Sequence, residues 1–335
     1  MRTYILRRLM SMALVWVGVT ILTFVIANVV PSDPVALRLG PKATAESIAQ
    51  MRHQYGLDLP MPVQYLRYLA GLTRGDLGDS IWSNRPVIQD LADYLPATLE
   101  LGLSAFILTI LFGIPFGIWA ATSGLPWLDR SIQLLATIGL AIPLFWFGML
   151  LQLLFYRQWG VLPMDSRIDL TLGAPVHLTG LLVLDSLLRG DLPRFLNALK
   201  HLVLPAITLS LPAIGAVARM TRAAVLETLS QDYVRMARAK GLTAQRVIWK
   251  HVLANALLPV VTLLGNTVNS LVAGAFVVEV IFNWPGIGWY ATKVILASDY
   301  GAIVSITLMV AIFCTTVNLV VDMLYSLLDP RIQLA

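Results

Sequence analysis

The chain has 335 residues and a formal charge of +5, yet only 13% of its residues are charged and 57% are hydrophobic. A soluble domain carries about 25% charged residues, so this composition excludes an ordinary soluble enzyme. The question becomes how many apolar runs can cross a hydrocarbon core of about 30 Å, which takes roughly 20 residues of helix each. Lysine and arginine lie beside apolar runs and form no stripe, which argues against nucleic acid as a partner. Cys314 is the single cysteine, so no intrachain disulfide can form.

Arg2, Arg7 and Arg8 precede an apolar run over residues 9–30. That run is longer than a signal-peptide core, and it predicts an uncleaved first span with a cytoplasmic N-terminus. Asn28 either lines a cavity or sits at the interface. Pro31-Ser32-Asp33-Pro34 ends the helix, because each proline restricts the residue before it. Residues 31–97 are too polar to span and read as an external region with short helical pieces, which the resemblance given below makes periplasmic. One of these, TAESIAQMRHQYGL, is amphipathic, with Ile48, Met51 and Tyr55 on one face and Gly56 as its stop. His53 within it reads as a surface histidine, since no second ligand stands at metal-binding spacing.

Residues 98–121 form the second expected span, with Glu100 just inside its outer end. A carboxylate there either serves function or snorkels and accepts N–H groups from a helix first turn. The third span, 133–156, contains Ile142-Pro143-Leu144-Phe145-Trp146, where a proline kink is expected and tolerable. An external segment, 158–201, follows, and its piece 178–188 is too short to cross and reads as interfacial. The fourth span, 202–217, continues as a helix into a basic loop, 223–252. The fifth, 255–282, carries Asn266, Thr267, Asn269 and Ser270 at its midpoint, a polar cluster that needs partners or water. After a turn at Pro285-Gly286 flanked by interfacial aromatics, the sixth span, 303–327, carries Asn318 and Asp322. The reading is therefore all-α and polytopic, with six transmembrane helices. Both termini are expected in the cytoplasm: one span lies in residues 1–30 and a core of five in 98–335.

The loop 223–252 is basic, through Arg235, Arg238, Lys240, Arg246 and Lys250, as a short cytoplasmic loop should be. Ser230 is placed to cap a short helix with Asp232 in its first turn, closed by Lys240 and Gly241. Thr243 restarts a helix that leads into the fifth span. Bland readings are a surface helix on anionic headgroups or a solvated connector.

These residues carry a resemblance. Asp232-Tyr-Val-Arg-Met-Ala-Arg-Ala-Lys-Gly-Leu242 with His251-Val-Leu-Ala-Asn-Ala-Leu-Leu-Pro259 resembles the loop motif of ABC-importer permeases, Glu-Ala-Ala, three residues, Gly, nine residues, Ile-x-Leu-Pro. Ala237 and Gly241 fall on the last alanine and the glycine. Arg235, Met236, His251 and Ala254 depart from the pattern in the manner of the peptide branch. Pro96-Ala-Thr-Leu-Glu100, His201-Leu-Val-Leu-Pro205, Met220-Thr-Arg222, Phe282-Asn-Trp-Pro-Gly286 and Asp329-Pro-Arg331 follow in the expected order. The chain thus resembles permeases of the peptide/opine/nickel uptake branch, and within it the first of the paired dipeptide permeases.

That resemblance implies a type I importer permease fold in a bacterial inner membrane. It also implies a second permease subunit, two cytoplasmic ATPases that bind ATP and Mg, a periplasmic binding protein and a peptide substrate. Nickel, an opine, glutathione or haem are the alternative cargoes. The implied ATPase-coupling residues are Ser230, Asp232, Tyr233, Arg235, Met236, Ala237, Arg238, Lys240, Gly241 and Leu242, with Tyr233, Met236 and Ala237 as the packing side. Glu100, Asn266, Asn269, Ser270 and Glu279 are candidates to line the pathway, each weighed against a plain helix–helix hydrogen bond. No cofactor is expected in the chain itself, and no enzyme: it has no G-x-x-x-x-G-K-[ST] and no H-E-x-x-H.

Overall fold

The computed structural model describes residues 2–29, 44–54, 58–172 and 178–328. The Pro31–Pro34 exit, Tyr55, Gly56 and the tail from 329 lie outside them. The described elements are helical, apart from one isolated bridge between Asp79 and Pro86. They are α1 (Arg2–Val29), α2 (Ala45–Gln54), α3 (Met61–Leu72) and α4 (Val87–Thr122), followed by α5 (Pro126–Ala141) and α6 (Leu144–Gln158). Then come α7 (Leu182–Leu188), α8 (Leu192–Leu229), α9 (Asp232–Ala239), α10 (Ala244–Ile281), α11 (Ile287–Leu296) and α12 (Tyr300–Leu328).

Five of these, α1, α4, α8, α10 and α12, are long and apolar enough to cross a membrane. A sixth crossing exists only if α5 and α6 count as one, and they meet at 107°. The expected kink in the third span is thus a full break. Ile142 and Pro143 both have extended backbone, at ψ 128° and 132°. Proline pushes the residue before it out of the α region, and Pro143 then opens α6. Elsewhere proline is absorbed inside long helices: Pro96 in α4, Pro205 and Pro212 in α8, and Pro259 in α10. Helix α4 also relaxes into a π turn over Thr109–Gly113. The spans run further than the hydropathy suggested. Helix α8 starts at Leu192, where Asp191 accepts the Arg194 N–H at 3.1 Å and Pro193 sits in the first turn.

The chain divides into two compact units. One comprises residues 1–96 and 286–316. In it Asp299 accepts from the Ser80 hydroxyl and the Ile81 N–H, both at 2.6 Å, and from the Ala302 N–H at 3.2 Å, so that one carboxylate ties a loop to the start of α12. Tyr290 stacks on Tyr94 with ring centroids 5.0 Å apart and donates to Asp90 at 3.0 Å. The other unit comprises residues 97–285 and 317–335, with α8 as its axis. Helix α8 meets α4 and α5 at glycines: a Cβ on Gly117 would lie 2.5 Å from the Ala218 carbonyl oxygen, and one on Gly215 would lie 2.7 Å from that of Ala136. Between membrane helices, where lipid is as apolar as leucine, such small-residue contacts let backbones approach and gain dispersion energy.

Candidate functional site

Helix α9 is a two-turn piece between the ends of α8 and α10. Ser230 does not cap it. Because α8 continues to Leu229, Ser230 closes that helix, its hydroxyl donating to the Glu227 carbonyl at 2.7 Å. The cap position falls to Gln231, which has extended backbone and makes no side-chain capping bond. The C-terminus follows the expected pattern. Gly241 has φ +79°, its N–H donates to Arg238 O at 2.9 Å, and Leu242 N–H donates to Ala237 O at 3.4 Å, the double closure of a Schellman turn. Thr243 accepts the Arg246 N–H at 3.4 Å and starts α10, whose second turn, Val247–Val252, is π-helical.

The orientation of α9 corrects one expectation. Ala237 does not face outward with Tyr233 and Met236; it is buried together with Val234, which had not been singled out. These two pack with Ala224 and Val225 of α8 and with Val247, Val252, Leu253 and Ala256 of α10. Positions 234 and 237 are i and i+3, one face of a helix, so the alanine of the motif serves the chain's own packing. Tyr233 and Met236 of α9 are 42% and 58% exposed, and Trp249, in the second turn of α10, is 66% exposed. Tyr233 accepts from the Asn255 side chain at 3.1 Å. Asp232, Arg235, Arg238 and Lys240 are exposed, and the Asp232–Arg235 pair at 3.4 Å contributes little. Trp249 had not been singled out in the sequence. Arg222 of the Met220-Thr-Arg222 signature belongs to α8. It forms a bidentate pair with Asp129 at the start of α5.

The pathway candidates separate. Asn266 and Ser270 lie on one exposed stripe of α10 with Thr262. Asn269 turns aside and donates to Asn318 of α12 at 2.7 Å. Glu279 is fully buried and accepts from the Thr98 hydroxyl of α4 at 2.6 Å, so it faces a neighbouring helix and no open surface. A carboxylate at membrane depth requires such a donor. Glu100 is likewise enclosed. It accepts from Arg167 at 2.5 Å and from the Val183 N–H, in the first turn of α7, at 2.7 Å.

Arg167 completes a clamp the sequence did not reveal. It also donates to Gly180 O at 3.0 Å and stands 5.5 Å from the centre of the Trp284 ring, whose N–H donates to Ala97 O at 2.9 Å. Beside it, burial pushes the Asp185 carboxyl up. The Thr179 hydroxyl and the N–H groups of Leu178, Thr179 and Gly180 outweigh that and hold it below the usual carboxylate range. The Asn197 side chain, with the nearby His201, likewise lowers Asp169. Among the described residues no group of three His, Cys, Asp or Glu is placed to hold a metal ion. His53 lies at the surface, 3.1 Å from Asp58.

Comparison with known proteins assigns this arrangement. Residues 113–334 match the family model described as binding-protein-dependent transport system inner membrane component, and residues 1–102 match the model for the N-terminal part of such components. The chain is 43% identical to the probable D,D-dipeptide transport system permease protein DdpB of Escherichia coli K12, over 97% of this chain and 96% of that protein. It is 40% identical to the dipeptide transport system permease protein DppB of the same strain, and to the di/tripeptide permease protein DppB of Pseudomonas aeruginosa, each over 99% of both chains. Among solved structures it is similar to the inward-facing MetNI methionine ABC transporter, with TM-score 0.55 and 15% identity, covering 72% of this chain and 97% of that one. That likeness concerns the fold, which is the type I importer permease fold. A multi-pass helical chain that matches these models and relatives end to end belongs to the family of binding-protein-dependent transport system inner membrane components.

Proposed function

We propose that the chain is one of two related permeases of an ATP-driven importer of dipeptides or short oligopeptides. Its near full-length identity of about 40% to permeases named for dipeptide and di/tripeptide transport supports that cargo. In this reading the end of the molecule bearing α9 is cytoplasmic, as its basic residues favour, and both termini lie on that side. The segments 31–97 and 158–201 lie outside, where a binding protein delivers the peptide.

The observation that carries the mechanism is the mooring of α9. Val234 and Ala237 fix it to α8 and α10, while Tyr233, Met236 and Trp249 stand outward. A cytoplasmic ATPase that grips the outer surface moves α8 and α10 with it, because close-packed side chains transmit displacement. ATP and Mg are bound by the ATPases; this chain supplies the pathway and the lever and catalyses no reaction. Asn266 and Ser270 present small polar groups along α10, suited to contacting a peptide backbone without holding it.

The test is isolation of the complex with the binding protein from the same transport system. Peptide retained by that protein and released into vesicles supports the reading. Retention of a metal chelate or haem would replace the cargo while leaving the permease assignment in place.

A further inference from the structure

Helix α3 (MPVQYLRYLAGL) is apolar on two opposite faces. On one face Tyr65 and Tyr68 pack on Phe24 of α1, with ring centroids 5.3 and 6.0 Å away, and the Tyr65 and Thr20 hydroxyls share a hydrogen bond of 2.9 Å. The opposite face is formed by Val63, Leu66 and Ala70, with Leu66 64% exposed and Arg67 as its one cation. A helix between a protein and water places polar residues on its outer face. Here the other polar side chain, Gln64, turns back to donate to the Leu59 carbonyl at 2.8 Å.

The contacts also set the level of α3 along α1. The apolar window of α1 is Leu6–Ile26. At 1.5 Å per residue, Phe24 lies about 3 Å and Thr20 about 9 Å inside its C-terminal end. A helix whose tyrosine ring rests on Phe24 and whose hydroxyl reaches Thr20 therefore stands level with the C-terminal end of that apolar window. At the same level α1 exposes Ile21, Leu22, Val25 and Ile26, so the outer face of α3 continues a lipid-facing surface.

We infer that α3 is an interfacial membrane anchor, with Val63 and Leu66 among the acyl chains of the leaflet at the C-terminal end of α1 and Arg67 extended to the headgroup phosphates. The occupant of the outer face is lipid. Tyr65 and Tyr68 then act as the brace that sets the position of α1 against the bilayer surface.

The experiment places a nitroxide at Leu66→Cys, and separately at Val63→Cys, in the full chain carrying Cys314→Ala. The transporter complex is reconstituted in phosphatidylethanolamine/phosphatidylglycerol vesicles. Collision with oxygen is compared with collision with a water-soluble nickel chelate, and a spin-labelled cysteine free in the buffer serves as the water reference. The expected result is an oxygen-to-chelate ratio several-fold higher at 66 and 63 than for that reference. A chelate collision rate at 66 and 63 close to that of the free label overturns the inference, because the face is then in water. Inaccessibility to both quenchers overturns it too, because a protein then covers the face. The two positions guard against a local defect from either substitution.

Discussion

The Arg167 guanidinium donates to the Glu100 carboxylate at 2.5 Å where both side chains are almost dry, at 11% and 5% exposure. Such a pair contributes modestly as a pair, because desolvation offsets its attraction. Removing one member strands the other and costs about 3–5 kcal/mol. Glu100→Ala is therefore expected to lower the thermal stability of the purified chain by an amount in that range. The double substitution Glu100→Gln with Arg167→Met is expected to recover most of it. Additive losses would mean the two side chains do not act as a unit.

The carboxylates beside that clamp give it a pH dependence with a definite sign. Asp185 and Asp169 are held below the ordinary range by hydrogen bonds in the folded segment. Each therefore contributes stability that is complete above the unfolded carboxylate value and is lost as pH falls through the lowered folded value. A spin label at exposed Leu187 is expected to become more mobile on acidification below the usual carboxylate range. Asp185→Asn should show greater mobility already at neutral pH and a flatter response. An unchanged titration in that variant would show that the Asp185 carboxylate does not hold the segment.

Glycines in the same unit should split into two classes. A Cβ at Gly117 would stand 2.5 Å from both the Ala218 oxygen and the Thr221 Cβ, whereas a Cβ at Gly102 has no atom within 4 Å. Gly117→Ala forces α4 and α8 apart and should cost about 1–3 kcal/mol, as overpacking does. Gly102→Ala should be neutral or stabilise by up to about 1 kcal/mol through helix propensity. Thermal denaturation in detergent reads both.

On α9 and the adjoining turn of α10 the inward and outward residues should fail differently. Val234→Asp buries a charge in the apolar cluster beneath the helix and should reduce the amount of folded protein. Met236→Ala and Trp249→Ala remove exposed side chains and should leave the melting temperature unchanged while weakening co-purification of the ATPase. Gly241→Val opposes φ +79° in open space, so strain alone is at issue. It should cost about 1–3 kcal/mol and loosen the turn after α9.

Hydropathy made the number and order of the apolar runs legible, because lipid demands long apolar helices. It could not set the start of the fourth, since α8 begins at Leu192 in a polar stretch well before residue 202, whereas the continuation of α8 into the loop and the restart at Thr243 were expected from local chemistry. The Ile142-Pro143 step was visible, but whether it kinks or breaks depends on what packs on either side. The turn at Gly241 and the restart at Thr243 were readable from local chemistry. The inward face of α9 was not, because Val234 and Ala237 are buried in a cluster assembled from distant parts of the sequence, from Ile118 and Ala121 of α4 to Ala256 of α10. Arg167 was invisible for the same reason: its partners, Glu100, Gly180 and Trp284, are scattered along the chain and meet only in the fold.

The most direct test of the account is uptake of a radiolabelled dipeptide by proteoliposomes holding this chain with its partner permease, ATPases and binding protein. The expected result is accumulation that requires ATP and the binding protein and that falls several-fold in Met236→Ala/Trp249→Ala at unchanged protein content. Dipeptide accumulation unaffected by that double substitution would contradict the lever. Absence of dipeptide accumulation beside ATP-driven uptake of a different solute would contradict the cargo.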